Sequence, residues 1–164
     1  MKANPLTKLA LWAGGNLNKD SVASIHDVCI DTRALRGGEL FVAIKGERFD
    51  AHDFIDQGLC QAAAAVLVHR PVKTQLPVIQ VADTRLALGR MAAGYRGQFT
   101  GKIFGVTGSN GKTTVKEMLA SIAQQKARTL ATQGNLNNDI GLPFTLLRLQ
   151  DDAYASIELG ANHL

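Results

Sequence analysis

The chain has 164 residues, 46% of them hydrophobic and 20% charged, with a mean hydropathy of +0.00. That balance excludes a disordered or fibrous chain and suits a globular protein of one or two domains. A net charge of +4 comes from scattered Lys and Arg with no basic run, so a nucleic-acid partner is not expected, and the mild positive balance suits anionic small molecules equally well.

In chain order, residues 6–12 read as a short helix with Trp12 in its packing, ending at the turn signal Gly14-Gly15-Asn16. Residues 22–30 alternate imperfectly and suggest a strand, broken by Asp31-Thr32-Arg33 and followed by a turn at Arg36-Gly37-Gly38. Residues 40–44 form a strongly apolar strand that stops at Lys45-Gly46. Asp50 or Asp53 is expected to cap a helix over 54–61. An alanine run then leads into a buried strand ending at Val68, Pro71 and Pro77 bound a loop, and 78–81 is a further strand. Asp83-Thr84 caps a long helix over 85–96 with Leu86, Leu88, Met91 and Ala92 among its apolar positions. The expected layout is a small α/β domain over 1–82, a connecting helix and linker over 83–101, and the start of a second domain over 102–164.

The second domain opens on the most informative stretch. Ile103-Phe104-Gly105-Val106 has the length and composition of a short buried strand. Thr107-Gly108-Ser109-Asn110-Gly111 is a glycine loop, and Lys112-Thr113-Thr114 opens a helix with Val115, Met118, Leu119 and Ile122 at helical spacing. Strand, glycine loop, Lys-Thr and helix make a phosphate-binding loop in its confirming context. Glycines let backbone N–H groups approach phosphate oxygens, and the helix N-terminus adds its dipole. Lys112 would meet the β- and γ-phosphates and Thr113 would offer its hydroxyl to Mg²⁺. The strict motif places glycine where Val106 stands, with Gly105 one position early.

Residues 128–131 read as the next strand, 134–139 as a polar loop, 140–149 as a helix interrupted early by Pro143, and 155–159 as a third strand. Helices between such strands imply a parallel sheet. Glu158 is an acid inside that last apolar strand, costly to bury without compensation. It reads either as a Mg²⁺ ligand at the carboxyl end of a strand or as an edge-facing glutamate. Cys29 and Cys60 form no CxxC pair and are expected as buried thiols in a reducing cytoplasm. His26, His52, His69 and His163 have no mutual metal-ligand spacing, and each reads as structural or surface, His52 being the first candidate for an exception. No apolar stretch approaches the roughly 18 residues of a membrane helix. The opening MKANPLTKLALWAGG lacks a small-residue cleavage pattern, so neither membrane insertion nor a signal peptide is expected.

GVTGSNGKTTVKEMLA, TQGNLNNDIGLPFTLLRL and ASIELGANH resemble the Mur ligases, and DTRALRGGELFVAIKGERFDAHDF resembles their N-terminal uridine-nucleotide domain. The likeness runs over residues 31–163. The TGSNGKTT loop is shared with the related folylpolyglutamate synthases, whereas residues 134–143 favour the Mur branch that adds D-alanyl-D-alanine to UDP-MurNAc-tripeptide over the branch that adds the third amino acid. The resemblance implies an α/β protein: a uridine-nucleotide domain followed by the start of a phosphate-loop ATPase domain with a parallel sheet. It also implies ATP-dependent ligation through an acyl phosphate, in a cytoplasmic and monomeric enzyme of peptidoglycan synthesis.

By the same resemblance, Thr107, Gly108, Ser109, Asn110, Gly111, Lys112, Thr113 and Thr114 would hold ATP. Lys112 and Glu158 would serve catalysis, with Mg²⁺ on Thr113 and Glu158. Asp31, Thr32 and Arg33, with Lys45, Gly46 and His52, would contact the uridine diphosphate. Asn135 and Asn138 would line the region between ATP and the UDP-sugar peptide, though a loop held by its own Asn-to-backbone bonds fits them equally. Family members are far longer. The adenine site, a modified lysine and the dipeptide-receiving domain are expected beyond Leu164, and the chain is expected to be an N-terminal piece, with one sheet edge open, that is not competent alone. The competing readings are a different phosphate-loop enzyme such as a small kinase, a non-catalytic UDP-sugar-binding module, and a ligase adding a single amino acid.

Overall fold

A computed structural model describes residues 1–160, so His163 lies outside the described residues. The chain divides into two compact units, Lys2–Met91 and Ala92–Leu164.

The front unit begins with β1 (Asn4–Pro5), α1 (Leu6–Ala13), β2 (Asn16–Leu17), β3 (Ser24–Ile25) and β4 (Val28–Cys29). After a 3-10 turn at Thr32–Ala34 come β5 (Leu40–Val42), α2 (Ala51–Asp56), β6 (Ala65–Val68), β7 (Val78–Gln80) and the first part of α3 (Thr84–Arg96). Its main sheet has the order β2-β7-β6-β5-β4, parallel except for the antiparallel β2 edge. β5 and β6 are buried at every position, as continuous apolar strands in a parallel sheet are. Phe41, Val66 and Val68 pack with Ile55, Cys60 and Ala63 under α2.

Two expectations are corrected in this unit. Residues 22–30 are not one strand but two strands of two residues: Val22 is fully exposed, and Asp27 turns its Oδ1 back to accept from the Val28 N–H at 2.8 Å. The helix expected over 54–61 lies earlier, because Asp50 caps it at the His52 N–H (3.0 Å) and Gly58, at φ +74°, ends it. Trp12 is half-buried, with the Lys8 ammonium 5.0 Å from its ring centroid. Cys29 is half-buried and Cys60 buried, both as free thiols, and burial pushes Cys60 up to about 11.

The second unit takes the end of α3 and adds β8 (Lys102–Val106), α4 (Lys112–Gln124), β9 (Thr129–Ala131), α5 (Gly141–Leu147) and β10 (Tyr154–Glu158). All pairings in its sheet are parallel, and the order β8-β10-β9 places the last strand in the middle. Tyr95, buried on α3, donates its hydroxyl to the Leu149 carbonyl at 2.5 Å. Pro143 falls in the first turn of α5, where its missing N–H breaks no intrahelical bond.

The apolar positions singled out on α4 are not its buried face. Val115, Met118 and Ile122, read at helical spacing, are 47%, 60% and 64% exposed, while the buried positions are Lys116, Ala120 and Ala123. Both stripes have helical spacing. The alanine stripe permits the closer approach to the strands, so periodicity alone could not choose between them. Leu86 on α3 is likewise exposed, its neighbours Ala87, Leu88 and Met91 facing in.

Candidate functional site

The phosphate loop follows β8 and is exposed from Thr107 to Gly111. Gly108 (φ +141°) and Gly111 (φ +73°) occupy backbone conformations that side chains resist, which explains glycine at those two places. Gly111 is the residue from which α4 departs, and no side chain caps that helix start. The first-turn N–H groups of a 13-residue helix are therefore directed at the loop, where an anion is favoured. Lys112 folds back over the loop, its Nζ 2.7 Å from the Gly108 carbonyl.

Parallel pairing sets Glu158 beside Val106, at the carboxyl ends of β10 and β8. Its side chain is buried and both oxygens are engaged: Oε2 accepts from Thr113 Oγ1 at 2.9 Å and Oε1 from Asn137 Nδ2 at 2.8 Å. The Asn137 amide, opposed by burial and aided by Thr113 and by the ammonium groups of Lys116 and Lys112, holds this carboxyl below the usual glutamate range. Glu158 is thus a compensated buried carboxylate, not an edge-facing side chain.

Asn137, Thr132 and Lys116 are the residues that sequence reasoning missed. Asn137 lies in the loop where Asn135 and Asn138 were singled out. Of these three, Asn137 reaches the site. Asn135 is exposed, and Asn138 turns its Oδ1 to the N–H groups of Ile140 (3.2 Å) and Gly141 (2.7 Å) at the start of α5. Asn138 therefore does the local work of an Asx turn. Thr132 accepts the Glu158 N–H on its hydroxyl at 2.9 Å, and Lys116 donates to the Thr132 carbonyl at 2.9 Å.

In the front unit, Asp31, Thr32 and Arg33 follow β4. Asp31 caps the turn, and its carboxylate takes the Arg33 guanidinium through two bonds of 2.9 and 2.8 Å, which holds its pKa down at about 2. Lys45 and Gly46 follow β5, with Lys45 exposed. Lys45, His69, Asp83, Thr84 and Arg85, from the ends of β5, β6 and β7, line a cavity of about 300 Å³. Ligands of open α/β sheets gather at such strand ends.

His52 does not join that cavity. It is fully buried, with Nδ1 2.5 Å from Asp50 Oδ1 and Nε2 accepting the His69 N–H at 3.1 Å. Both ring nitrogens are consumed by the chain itself, so the contact expected between His52 and the uridine diphosphate is replaced by an internal one.

Among the described residues there is no group of three or more His, Cys, Asp or Glu able to hold a metal. No helix among them is long and apolar enough to cross a membrane.

Comparison with known proteins agrees with this arrangement. The Mur ligase family, catalytic domain, matches residues 24–96, and the Mur ligase middle domain matches residues 106–164. The UDP-N-acetylmuramoyl-tripeptide--D-alanyl-D-alanine ligase of Escherichia coli (strain K12) is 57% identical over 141 residues, 85% of this chain and 31% of that protein. A crystal structure of MurF from Acinetobacter baumannii superposes with a TM-score of 0.91 at 43% identity, covering 99% of this chain and 37% of that one. MurF ligase from Thermotoga maritima, solved in complex with ADP, gives a TM-score of 0.77 at 35% identity, covering 84% of this chain and 32% of that one. The chain spans about a third of the length of the curated relatives it matches. With its front unit and its phosphate-loop unit each matching one of the family's domains, the chain belongs to the Mur ligase family.

Proposed function

We propose that this chain carries the uridine-nucleotide and phosphate-loop parts of an ATP-dependent ligase that joins D-alanyl-D-alanine to UDP-MurNAc-tripeptide in peptidoglycan synthesis, acting in the cytoplasm as a monomer. The observation that carries the reading is the contact between Thr113 and Glu158. A hydroxyl from the phosphate-loop helix and a buried ionised carboxylate meet where nucleotide phosphates would lie. The 57% identity to the E. coli ligase, whose name states this reaction, favours this branch of the family over the others.

Two hard oxygen donors fit Mg²⁺, which completes its shell with phosphate and water oxygens. Thr113 and Glu158 would hold the ion, and its chemistry there is neutralisation of charge on the nucleotide phosphates. Thr107 to Thr114 bind and orient the phosphate chain through backbone N–H groups. Lys112, released from the Gly108 carbonyl, brings its ammonium to the phosphoryl group passing to the substrate carboxylate. The acyl phosphate so formed is attacked by the amine of the dipeptide, and phosphate leaves. Asp31, Thr32, Arg33, Lys45 and Gly46 at the strand ends of the front unit are the proposed contacts of the uridine diphosphate. Asn135 and Asn138 shape the loop that presents Asn137.

Calorimetry with ADP and Mg²⁺, and separately with UDP-MurNAc-tripeptide, tests the reading. The expected result is ADP binding that disappears in Lys112→Ala, together with UDP-sugar binding that survives it. ADP binding unaffected by Lys112→Ala would remove the phosphate loop from the proposal.

A further inference from the structure

Among the described residues of the phosphate-loop unit, Lys116 is the most deeply buried charged side chain, 1% exposed. It sits one turn after Lys112 and three residues after Thr113, on the face of α4 that otherwise carries Ala120 and Ala123. An apolar side chain would be the ordinary occupant of that position, because burying an ammonium is costly unless acceptors surround it. Here they do. Nζ donates to the Thr132 carbonyl at 2.9 Å and to the Glu117 carboxylate, and its charge helps hold the Glu158 carboxyl below the usual glutamate range. Thr132 is buried and works in two directions: its carbonyl accepts from Lys116 and its hydroxyl accepts the Glu158 N–H at 2.9 Å. Ser156, two residues before Glu158 on β10, closes the circuit: its hydroxyl donates to the Lys116 carbonyl at 2.9 Å and its backbone carbonyl accepts the Thr132 N–H at 3.0 Å.

From this circuit we infer that Lys116 is a positioning residue for the metal–nucleotide site, holding the backbone of Glu158 in place through Thr132. The inference rests on the assignment of Glu158 and Thr113 to Mg²⁺ proposed above. Lys112 works on the phosphates and Lys116, one turn on, works on the carboxylate that faces them. Without the ammonium, the Thr132 carbonyl loses its donor, Thr132 is left with its N–H bond to the Ser156 carbonyl, and the Thr132 hydroxyl that anchors the Glu158 N–H is held less firmly.

The test is Mn²⁺ binding to the ADP complex of this chain, read by electron paramagnetic resonance, in wild type, Lys116→Met, Thr132→Val and the double variant. Removing such an outer partner is expected to weaken the metal about ten- to a hundredfold, with metal-free ADP binding unchanged. The two substitutions together are expected to cost little more than either alone, since they cut one path. An unchanged Mn²⁺ affinity with a lowered melting temperature would reduce Lys116 to a packing residue and overturn the inference, as would full additivity. A separate readout needs no ligand: amide hydrogen exchange at Glu158, measured by NMR, is expected to speed up in Lys116→Met relative to Ala155. If wild type binds no Mn²⁺–ADP, the metal-site reading falls, and the exchange rate alone decides whether Lys116 anchors Glu158; no change there overturns that too. Lys116→Leu, also without a donor, is read by the same criteria if Lys116→Met does not fold.

Discussion

Thr113 Oγ1 and Glu158 Oε2 lie 2.9 Å apart although 45 positions separate them in the chain. The parallel order β8-β10-β9 makes this possible, because the last strand inserts beside the one that feeds the phosphate loop. Glu158→Gln keeps the shape and an acceptor for Asn137 but removes the charge. A charged hydrogen-bonded group contributes about 1.5–3 kcal/mol. Glu158→Gln is therefore expected to weaken Mg²⁺-dependent ADP binding by about tenfold or more, with little effect on metal-free binding. Calorimetry with and without the metal separates the two terms, and equal losses in both would place Glu158 in the structure but not in the site.

Lys112 contributes differently. Its ammonium donates to backbone carbonyls of its own loop and buries little. Lys112→Ala is expected to leave stability within about 0.5 kcal/mol, because the exposed loop carbonyls that its ammonium leaves are taken up by water. Nucleotide binding is expected to be lost in the same variant. A large fall in melting temperature would mean that the lysine holds the loop together, contrary to its role toward phosphate.

How much of this was legible in the chain depended on how local the signal was. The strand, glycine loop and Lys-Thr helix start lie within a dozen consecutive residues, and the structure forms each where expected, although the strand, read as buried, is buried only at Val106. The Asp50 and Asp83 caps were equally local; Asp83 Oδ1 accepts from both Arg85 N and Leu86 N. Glu158 stood out because an acid in an apolar strand requires a compensating partner. The partner itself, Asn137, was hidden among neighbouring asparagines whose side chains only the folded loop sorts. Lys116 was not legible, since a lysine on a helix reads as solvent-facing. His52 is the reverse case: the family resemblance put it beside the uridine diphosphate, while burial spends both ring nitrogens on the fold.

The orientation of α4 yields a contrast that circular dichroism can read. Ile122 is 64% exposed and Ala120 is 2% exposed, although both sit on helical stripes. Ile122→Lys is expected to change stability by no more than about 0.5 kcal/mol. Ala120→Leu forces extra methyl groups into a close helix–sheet contact and is expected to cost about 1–3 kcal/mol. Were the two effects reversed, the apolar stripe of Val115, Met118 and Ile122 would be the packed face after all.

His52 gives the front unit a pH dependence whose sign follows from its burial. Desolvation, only partly offset by Asp50, pushes its pKa below the ordinary 6.5. The unfolded chain therefore binds a proton at His52 before the folded chain does. Stability from this residue is complete above about pH 6.5 and is lost as the pH falls from there toward the lowered folded value. Asp50, also lowered, acts in a separate acid range beneath its ordinary 3.8, so it does not mask the effect. His52→Leu leaves the His69 N–H without its partner, a cost of about 1–3 kcal/mol for that orphaned group, while the Asp50 carboxylate loses the ring but keeps the backbone N–H of residue 52 and the nearby Arg70 guanidinium. The variant is expected to melt lower at neutral pH and to show a shallower fall between pH 6.5 and the acid side than wild type. Parallel pH profiles of wild type and variant would mean that the His52 ring is already protonated in the fold, paired with Asp50 as an ion pair instead of a neutral imidazole.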